Sequence, residues 1–314
     1  MTQNTPNKNK MISIVTTMYY SEPYLDEFYS RIKKTTEKIT KNYEIIFVDD
    51  GSPDNALQKA VSFHKKDKRV KVIELSRNHG HHKAMMVGLS QTKGDYVFLI
   101  DCDLEEKPEW LPAFCKKLEE DKTVDVVYGI QIRRKGKFVE KYLGGFYYKI
   151  FNFFSYTKIP RNPVTARIMR QSYVKSLVQY FDTEPVFLGI AHHAGFKQIS
   201  IPVEKIYKGK STYTLFKKIT ILVNSITSFS SKPLRYIFYL GFFISFMSVV
   251  MIIYLIYSKF TLKTILSGWV SSLISIWLLG GLILLSIGVI GIYLEKMFIE
   301  IKKRPYALIK NIYS

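Results

Sequence analysis

The chain has 314 residues, and lysine plus arginine exceed aspartate plus glutamate by 46 to 26, a formal net charge of +20. Its two cysteines, Cys102 and Cys115, exclude a disulfide framework and fit a reducing compartment. The polar start MTQNTPNKNK has no apolar core, so no signal peptide is expected there.

Residues 1–10 are read as a disordered tail. ISIVTT at 12–17 predicts a strand, followed by a polar helix over about 23–40. EIIFV at 44–48 predicts a second strand, which runs into Asp49, Asp50 and Gly51. Ser52, Pro53 and Asp54 then open a helix, with proline early, where its missing N–H is no loss. Residues 70–75 predict a third strand, 84–89 belong to the next helix, and 96–100 and 124–128 are a fourth and a fifth strand. Near-continuous apolar strands alternating with helices predict an α/β domain with a mostly parallel sheet covered on both faces. Ligands of such sheets bind beyond the carboxyl ends of the strands, where Asp49, Asp50, Asp101 and Asp103 all fall. No G-x-G-x-x-G follows the first strand and no Walker A lysine motif occurs, so the common dinucleotide and P-loop sites are excluded.

The most telling stretch is GDYVFLIDCDLEEKPE at 94–109. An apolar strand delivers Asp101 and Asp103 to one sheet edge, on the same side if the chain stays extended. Two such carboxylates repel unless a cation lies between them, and hard oxygen ligands suit Mg²⁺ or Mn²⁺. Cys102 is expected to point into the sheet. A bare D-x-D is more often a solvated strand-end turn, so the assignment needs the rest of the chain.

Residues 138–158 and 213–230 are dense in aromatics and lysine, as amphipathic helices in a headgroup layer are, although core helices have similar composition. Two uncharged runs follow, 236–257 and 265–294, each long enough to cross a bilayer as a helix. Only SKFTLKT, 258–264, separates them. Lys232 and Arg235 precede the pair, and Lys296, Lys302, Lys303, Arg304 and Lys310 follow it. The positive-inside bias therefore predicts a multi-pass protein of the cell (inner) membrane, with the body and both termini cytoplasmic. Beside a membrane, the positive charge suits anionic lipids and phosphate-bearing substrates, and no nucleic-acid partner is expected.

Five segments taken in order carry a resemblance: residues 15–22, IIFVDDGSPD at 45–54, LSRNHGHHKA at 75–84, GDYVFLIDCDLEEKPE, and SFSSKPLR at 228–235. Together they resemble the inverting family 2 glycosyltransferases of the GT-A fold. The two C-terminal apolar runs and the KKRPY tail narrow this to the polyprenyl-phosphate glycosyltransferases, relatives of dolichol-phosphate mannose synthase and of bacterial undecaprenyl-phosphate glucosyltransferases. The resemblance implies transfer of a sugar from a nucleotide diphosphate sugar to a polyprenyl (undecaprenyl) phosphate, for lipopolysaccharide or other cell-envelope glycan modification. It also implies a catalytic domain over 11–212, a juxtamembrane segment over 213–234, a two-helix hairpin over 235–294 and a basic tail over 295–314. Relatives of this architecture often assemble, so a homo-oligomer is among the implied partners.

Carried over by position, Asp50 contacts the nucleobase with Asp49 beside it, and Thr17, Tyr19 and Glu22 wrap the nucleoside. Lys83 joins the donor site, and Asp101, Asp103 and Glu105 hold the metal on the diphosphate. Asp103, Arg134 and Arg167 are the implied catalytic residues. The chemistry agrees: a divalent cation stabilises a leaving diphosphate. A phosphate acceptor is already an anion and needs positioning by cations, such as Arg133, Arg134 and Arg167, rather than a base. The pattern departs from the family at Glu105, usually glutamine, at Gln131, usually arginine, and at Thr165 and Ala166, usually aspartate and phenylalanine. Lys205 and Lys208 stand in for arginines, while Ser211 and Tyr213 are kept. These changes lie where sugar and lipid phosphate should meet and leave the sugar undetermined.

Other residues are weaker. Adjacent His79, His81 and His82 chelate one ion poorly, so zinc is not expected, and the Gly80 turn fits diphosphate donors better. His192 and His193 read equally as core or acceptor-side. Asp182 and Glu184 fall near the usual place of a catalytic base, which a phosphate acceptor does not require. A processive polysaccharide synthase is the alternative enzyme reading, disfavoured because no tryptophan follows an arginine. A silent membrane scaffold has no use for Asp101, Asp103 and Arg167.

Overall fold

The structure, a computed structural model, describes residues 10–131, 149–154, 160, 162–180, 187–206, 222–224, 226–228, 230–261 and 268–314. The chain divides into two compact units. One comprises residues 1–149, 158–213 and 304–314, and the other 150–157 and 214–303.

The first unit is built on an eight-stranded sheet. In chain order its elements are β1 Ile12–Met18, α1 Glu22–Glu37, β2 Tyr43–Asp49, α2 Ala56–Lys66, β3 Val70–Leu75, α3 His81–Ser90 and β4 Tyr96–Leu99, followed by α4 Leu111–Glu120 and β5 Val126–Gln131. Then come β6 Pro163–Arg170, α5 Gln171–Leu177, α6 Phe187–His193 and β7 Gln198–Val203. The last strand, β8 Ile309–Tyr313, lies at the other end of the chain. The order across the sheet is β7-β5-β6-β4-β1-β2-β3-β8.

The four strands β4-β1-β2-β3 pair in parallel, as their apolar, doubly buried sequences predict. Alternate residues face opposite layers. Ile12, Ile14 and Met18 of β1, with Ile45 and Phe47 of β2, join the core cluster shared with Leu25, Phe28 and Ile32 of α1 and Phe114 of α4. On the other face α3 comes so close that a Cβ on Gly88 would lie 2.5 Å from Val15 and 2.9 Å from Val48. Glycine lets that helix seat directly on the sheet.

Two strands depart from the parallel scheme. β6 is antiparallel to both β4 and β5, with Arg167 opposite Leu99 and Tyr128. β8 is antiparallel to β3. The 295–314 segment, read from sequence as a tail, thus contains a strand of the sheet. Arg133, Arg134, Asp182, Glu184, Lys208, Ser211 and Tyr213 lie outside the described residues, as does most of the 138–158 and 213–230 segments.

The second unit is dominated by α7 Lys232–Thr261 and α8 Trp269–Ile301. The 30-residue α7 extends beyond the first uncharged run at both ends and takes in the first residues of the expected loop, and the 33-residue α8 continues past the C-terminal end of the second. Within them Lys232–Met251 and Leu278–Ile301, of mean hydropathy 1.7 and 2.1, are long and apolar enough to cross a membrane, and neither window is buried. The Tyr293 hydroxyl donates to the Ser230 carbonyl at 2.6 Å, tying α8 to the segment before α7. The Tyr236 ring packs on Phe153 and Phe154, with centroids 6.0 and 5.7 Å away.

Candidate active site

The carboxyl ends of β1, β2 and β4 open into a cavity of about 310 Å³, within the range of small-molecule sites. Its walls include Thr17 at the end of β1 and Tyr19 just beyond it, Asp50 after β2, Asn78 and His81 from the turn into α3, and Asp101 and Asp103 after β4.

The β2 end is shaped by Asp50 and Gly51. Asp50 is buried; its carboxylate accepts the N–H of His79 at 2.7 Å and of Gly80 at 2.9 Å. Burial raises its pKa, and those two hydrogen bonds offset part of the rise. Gly51 has φ +65°, and a Cβ there would lie 2.6 Å from the backbone of Arg77 and Asn78. The glycine of the DDG segment therefore lets the 76–80 loop close over Asp50. Asp49, expected beside the nucleobase, does not line the cavity. It is buried on β2 opposite Glu74, and burial pushes its pKa up to about 6.

The β1 end supplies an open aromatic. Tyr19 is 46% exposed, with the Tyr20 ring edge-on at 4.9 Å. Glu22, expected around the nucleoside, instead accepts the Asn55 N–H at 3.2 Å. In turn Asp54 accepts the Glu22 N–H at 2.9 Å and the Ala56 N–H at 3.2 Å, so these acids knit together the starts of α1 and α2. Lys83 lies in the first turn of α3 and is not among the cavity walls.

The β4 end carries the carboxylate pair. Extended geometry stops at Leu99, and the chain turns so sharply after Asp103 that Leu104 has φ +63°. Both carboxylates nevertheless reach the cavity. Cys102 is buried in the core between them, with its thiol donating to the Thr17 carbonyl at 3.1 Å. Burial, then the neighbouring Asp103, pushes the pKa of Asp101 up to about 6. His81 bridges two walls: its Nδ1 lies 2.9 Å from the Thr17 hydroxyl and its Nε2 3.4 Å from Asp101 Oδ1. Desolvation lowers the His81 pKa, which disfavours a charged ring beside Asp101.

An all-oxygen pair with mutual repulsion fits a hard divalent cation. Glu105 does not complete a trio. Its carboxylate lies 3.6 Å from the Lys205 ammonium, and its N–H donates to Asp103 at 2.9 Å. Among the described residues no group of three His, Cys, Asp or Glu side chains is arranged to hold a metal, so further ligands would have to come from a bound substrate and water.

Glu106 is the principal residue that sequence reasoning passed over. It is wholly buried and accepts the Thr165 N–H at 2.9 Å and the Ala166 N–H at 2.7 Å, with the Lys205 ammonium at 3.1 Å. Burial and then the Asp101 charge push its pKa up to about 7, while the same acids raise that of Lys205. Arg167, expected to hold phosphate, is also wholly buried. Its Nε and Nη2 donate to the carbonyls of Thr165 and Val164 at 3.0 and 3.1 Å, and its guanidinium lies 4.7 Å from the centre of the Phe187 ring. His192 stands edge-on to Tyr128 with its Nδ1 2.9 Å from the Leu188 carbonyl. The Ser76 hydroxyl lies 3.1 Å from His79 Nε2 in a loop turn.

Acids gathered at the carboxyl ends of a mostly parallel sheet, with strand β6 returning antiparallel beside them, define an α/β enzyme of the GT-A fold. Residues 13–178 match the model of glycosyl transferase family 2, and the chain belongs to that family of glycosyltransferases. A Mycobacterium tuberculosis protein bearing a glycosyltransferase name is 47% identical over 303 residues, covering 96% of this chain and 88% of its own length. The bactoprenol glucosyl transferase of Shigella phage SfX is 28% identical, covering 96% of this chain and 99% of its own. The crystal structure of mannosyl-3-phosphoglycerate synthase from Rubrobacter xylanophilus aligns with a TM-score of 0.51 at 18% identity, over 70% of this chain and 73% of that one.

Proposed function

We propose that this glycosyltransferase moves a sugar from a nucleotide diphosphate sugar to the phosphate of a membrane polyprenol, with inversion at the anomeric carbon and with Mg²⁺ or Mn²⁺ held by Asp101 and Asp103. The carboxylate pair on a cavity shared with Thr17, Tyr19 and Asp50 carries the donor half of this reading. Tyr19 offers an open ring to a nucleobase, and each Asp50 oxygen keeps a lone pair beyond the loop amide it already accepts. The acceptor half is supported by the two long apolar helices of the same chain and by the bactoprenol relative's name.

In the reaction a phosphate oxygen of the acceptor forms the new bond to C1 as the C1–O bond to the diphosphate breaks, and the nucleoside diphosphate leaves with the electron pair. A bound divalent cation would offset the charge growing on that diphosphate. The acceptor enters as an anion, so no residue has to remove a proton, and the walls of the cavity serve to align the two partners. Glu106 and Lys205 hold the Asp101–Glu105 turn in place for this. The basic flanks of the hairpin support a cytoplasmic body and C-terminal strand.

The test uses full-length protein in undecaprenyl-phosphate liposomes with Mg²⁺ or Mn²⁺ and a panel of radiolabelled nucleotide sugars. One donor is expected to give a labelled sugar–phospholipid. No transfer from any donor, or transfer by Asp103→Ala equal to the natural chain, overturns the reading.

A further inference from the structure

The C-terminal strand is bonded to the loop that contributes Asn78 to the wall of the cavity. β8 pairs with β3, Glu74 opposite Asn311, and the register shifts between Glu74 and Leu75. Beyond the shift the C-terminal segment stays bonded to the loop that leaves β3. The Ser76 N–H donates to the Leu308 carbonyl at 2.9 Å, and the Leu308 N–H approaches His79 Nε2 at 3.4 Å. The Ser76 hydroxyl lies 3.1 Å from that same ring nitrogen. His79 and Gly80 are the residues whose amides grip the two oxygens of Asp50. Three consecutive links therefore run from Leu308, through the 76–80 loop, to Asp50.

The strand is fastened at one buried carboxylate. Glu74 accepts the Lys310 ammonium at 2.6 Å, the Asn311 amide at 2.8 Å and the Tyr313 hydroxyl at 3.1 Å. Desolvation would raise its pKa, but these three donors outweigh that and lower it. A strand serving only to cover an open sheet edge would need the ladder with β3 and nothing more. Bonds to Ser76 and His79 are extra to that purpose and point at the cavity.

We propose that the C-terminal strand is a positioning element of the donor site: Leu308 and β8, fastened through Glu74 and Lys310, hold the 76–80 loop so that His79 and Gly80 orient Asp50. This rests on the nucleotide-sugar reading of the cavity, and it makes donor affinity depend on a segment more than 220 residues away in sequence from the loop it supports.

Amide hydrogen exchange on the full-length protein in detergent tests it, alongside donor kinetics. Lys310→Glu sets like charge against Glu74, and a chain stopped after Tyr306 removes the strand. Both are expected to speed exchange at His79 and Gly80 roughly tenfold while β1 and β6 keep their protection. Donor KM should rise about tenfold with kcat within about twofold, the pattern of lost ground-state positioning. Glu74→Lys combined with Lys310→Glu should recover both readouts. Because that double variant keeps the strand, it supplies the comparison even where the shortened chain does not fold. Unchanged exchange at His79 and Gly80 when β8 itself has lost protection overturns the proposal, as does an unchanged KM. Coupled exchange in a protein that binds neither UDP nor GDP with Mn²⁺ would uphold the link and instead sink the donor reading.

Discussion

Glu106 and Lys205 form an ion pair of 3.1 Å in which the carboxylate is wholly buried and also holds the Thr165 and Ala166 amides of β6. This single side chain joins the turn after Asp103, the strand carrying Arg167, and the segment after β7. Removing it leaves a lysine and two amides without their acceptor. Glu106→Ala should cost about 3–5 kcal/mol of stability, the usual penalty for stranding one partner of a buried pair. Glu106→Gln, which keeps one acceptor oxygen, should cost less. Denaturant unfolding of the two variants gives the comparison; equal, small losses would show that the latch carries no strain.

Asp101 bears on stability in the opposite sense. Its folded pKa of about 6 lies above the ordinary 3.8, so the folded chain holds a proton that the unfolded chain gives up. Its contribution is fully present below pH 3.8 and is lost as pH rises through about 6. Without divalent cations, Asp101→Asn should therefore be more stable than the natural chain at pH 8, by about 3 kcal/mol. The gap should close between pH 6 and pH 4, and a gap independent of pH would contradict the assignment. Thermal unfolding over that range measures it.

Metal binding should reverse that penalty. Mn²⁺ is expected to raise the Tm of the natural chain and to leave Asp103→Ala unchanged, since one carboxylate alone is a poor site. Chelation should abolish transfer and added Mn²⁺ restore it, with Asp103→Ala about 10³-fold slower. An Asp103→Ala protein that is still stabilised by Mn²⁺ would place the cation elsewhere.

Arg167 separates two roles by experiment. Its Nε and Nη2 donate to the carbonyls of Thr165 and Val164 and its guanidinium faces the Phe187 ring, while its Nη1 is buried without a hydrogen-bond partner. Arg167→Met should cost about 2 kcal/mol through two unpaired carbonyls. Turnover per folded molecule should stay within a few-fold. A loss of about 10³ in kcat at unchanged stability would restore a direct part in the chemistry.

The membrane topology is accessible through the natural thiols. Cys102 and Cys115 are buried, and burial pushes both thiols up to about 12, so neither should react with a membrane-impermeant maleimide. Against that silent background, Lys263→Cys should label from outside intact cells and Ser314→Cys only after lysis. The reverse pattern would invert the orientation.

The Asp101 and Asp103 pair is legible in sequence because an unbroken apolar strand ends on it, and Asp50 and Gly51 because a second strand does the same. Glu106 is not. In LEEKPE it looks like a solvated turn acid, and its partners Thr165 and Ala166 come 59 and 60 residues later. Glu22 and Asp49 share a motif with true cavity residues, yet side-chain direction turns one toward Asn55 and the other into the sheet. β8 is hidden for a similar reason. IKNIY after a basic run has the look of a tail, and what makes it a strand is Glu74, 236 residues before Lys310.

Strand β8 also sets an order of synthesis. The ribosome completes seven strands of the sheet and then both long apolar helices before Ile309–Tyr313 emerges. Until that moment the outer edge of β3 is unpaired and Glu74 lacks all three of its donors. The nascent enzyme therefore carries an exposed sheet edge throughout the making of its apolar hairpin, a template for mispairing that only the final residues close. A chain arrested within the hairpin is an unfinished fold as well as a shortened one.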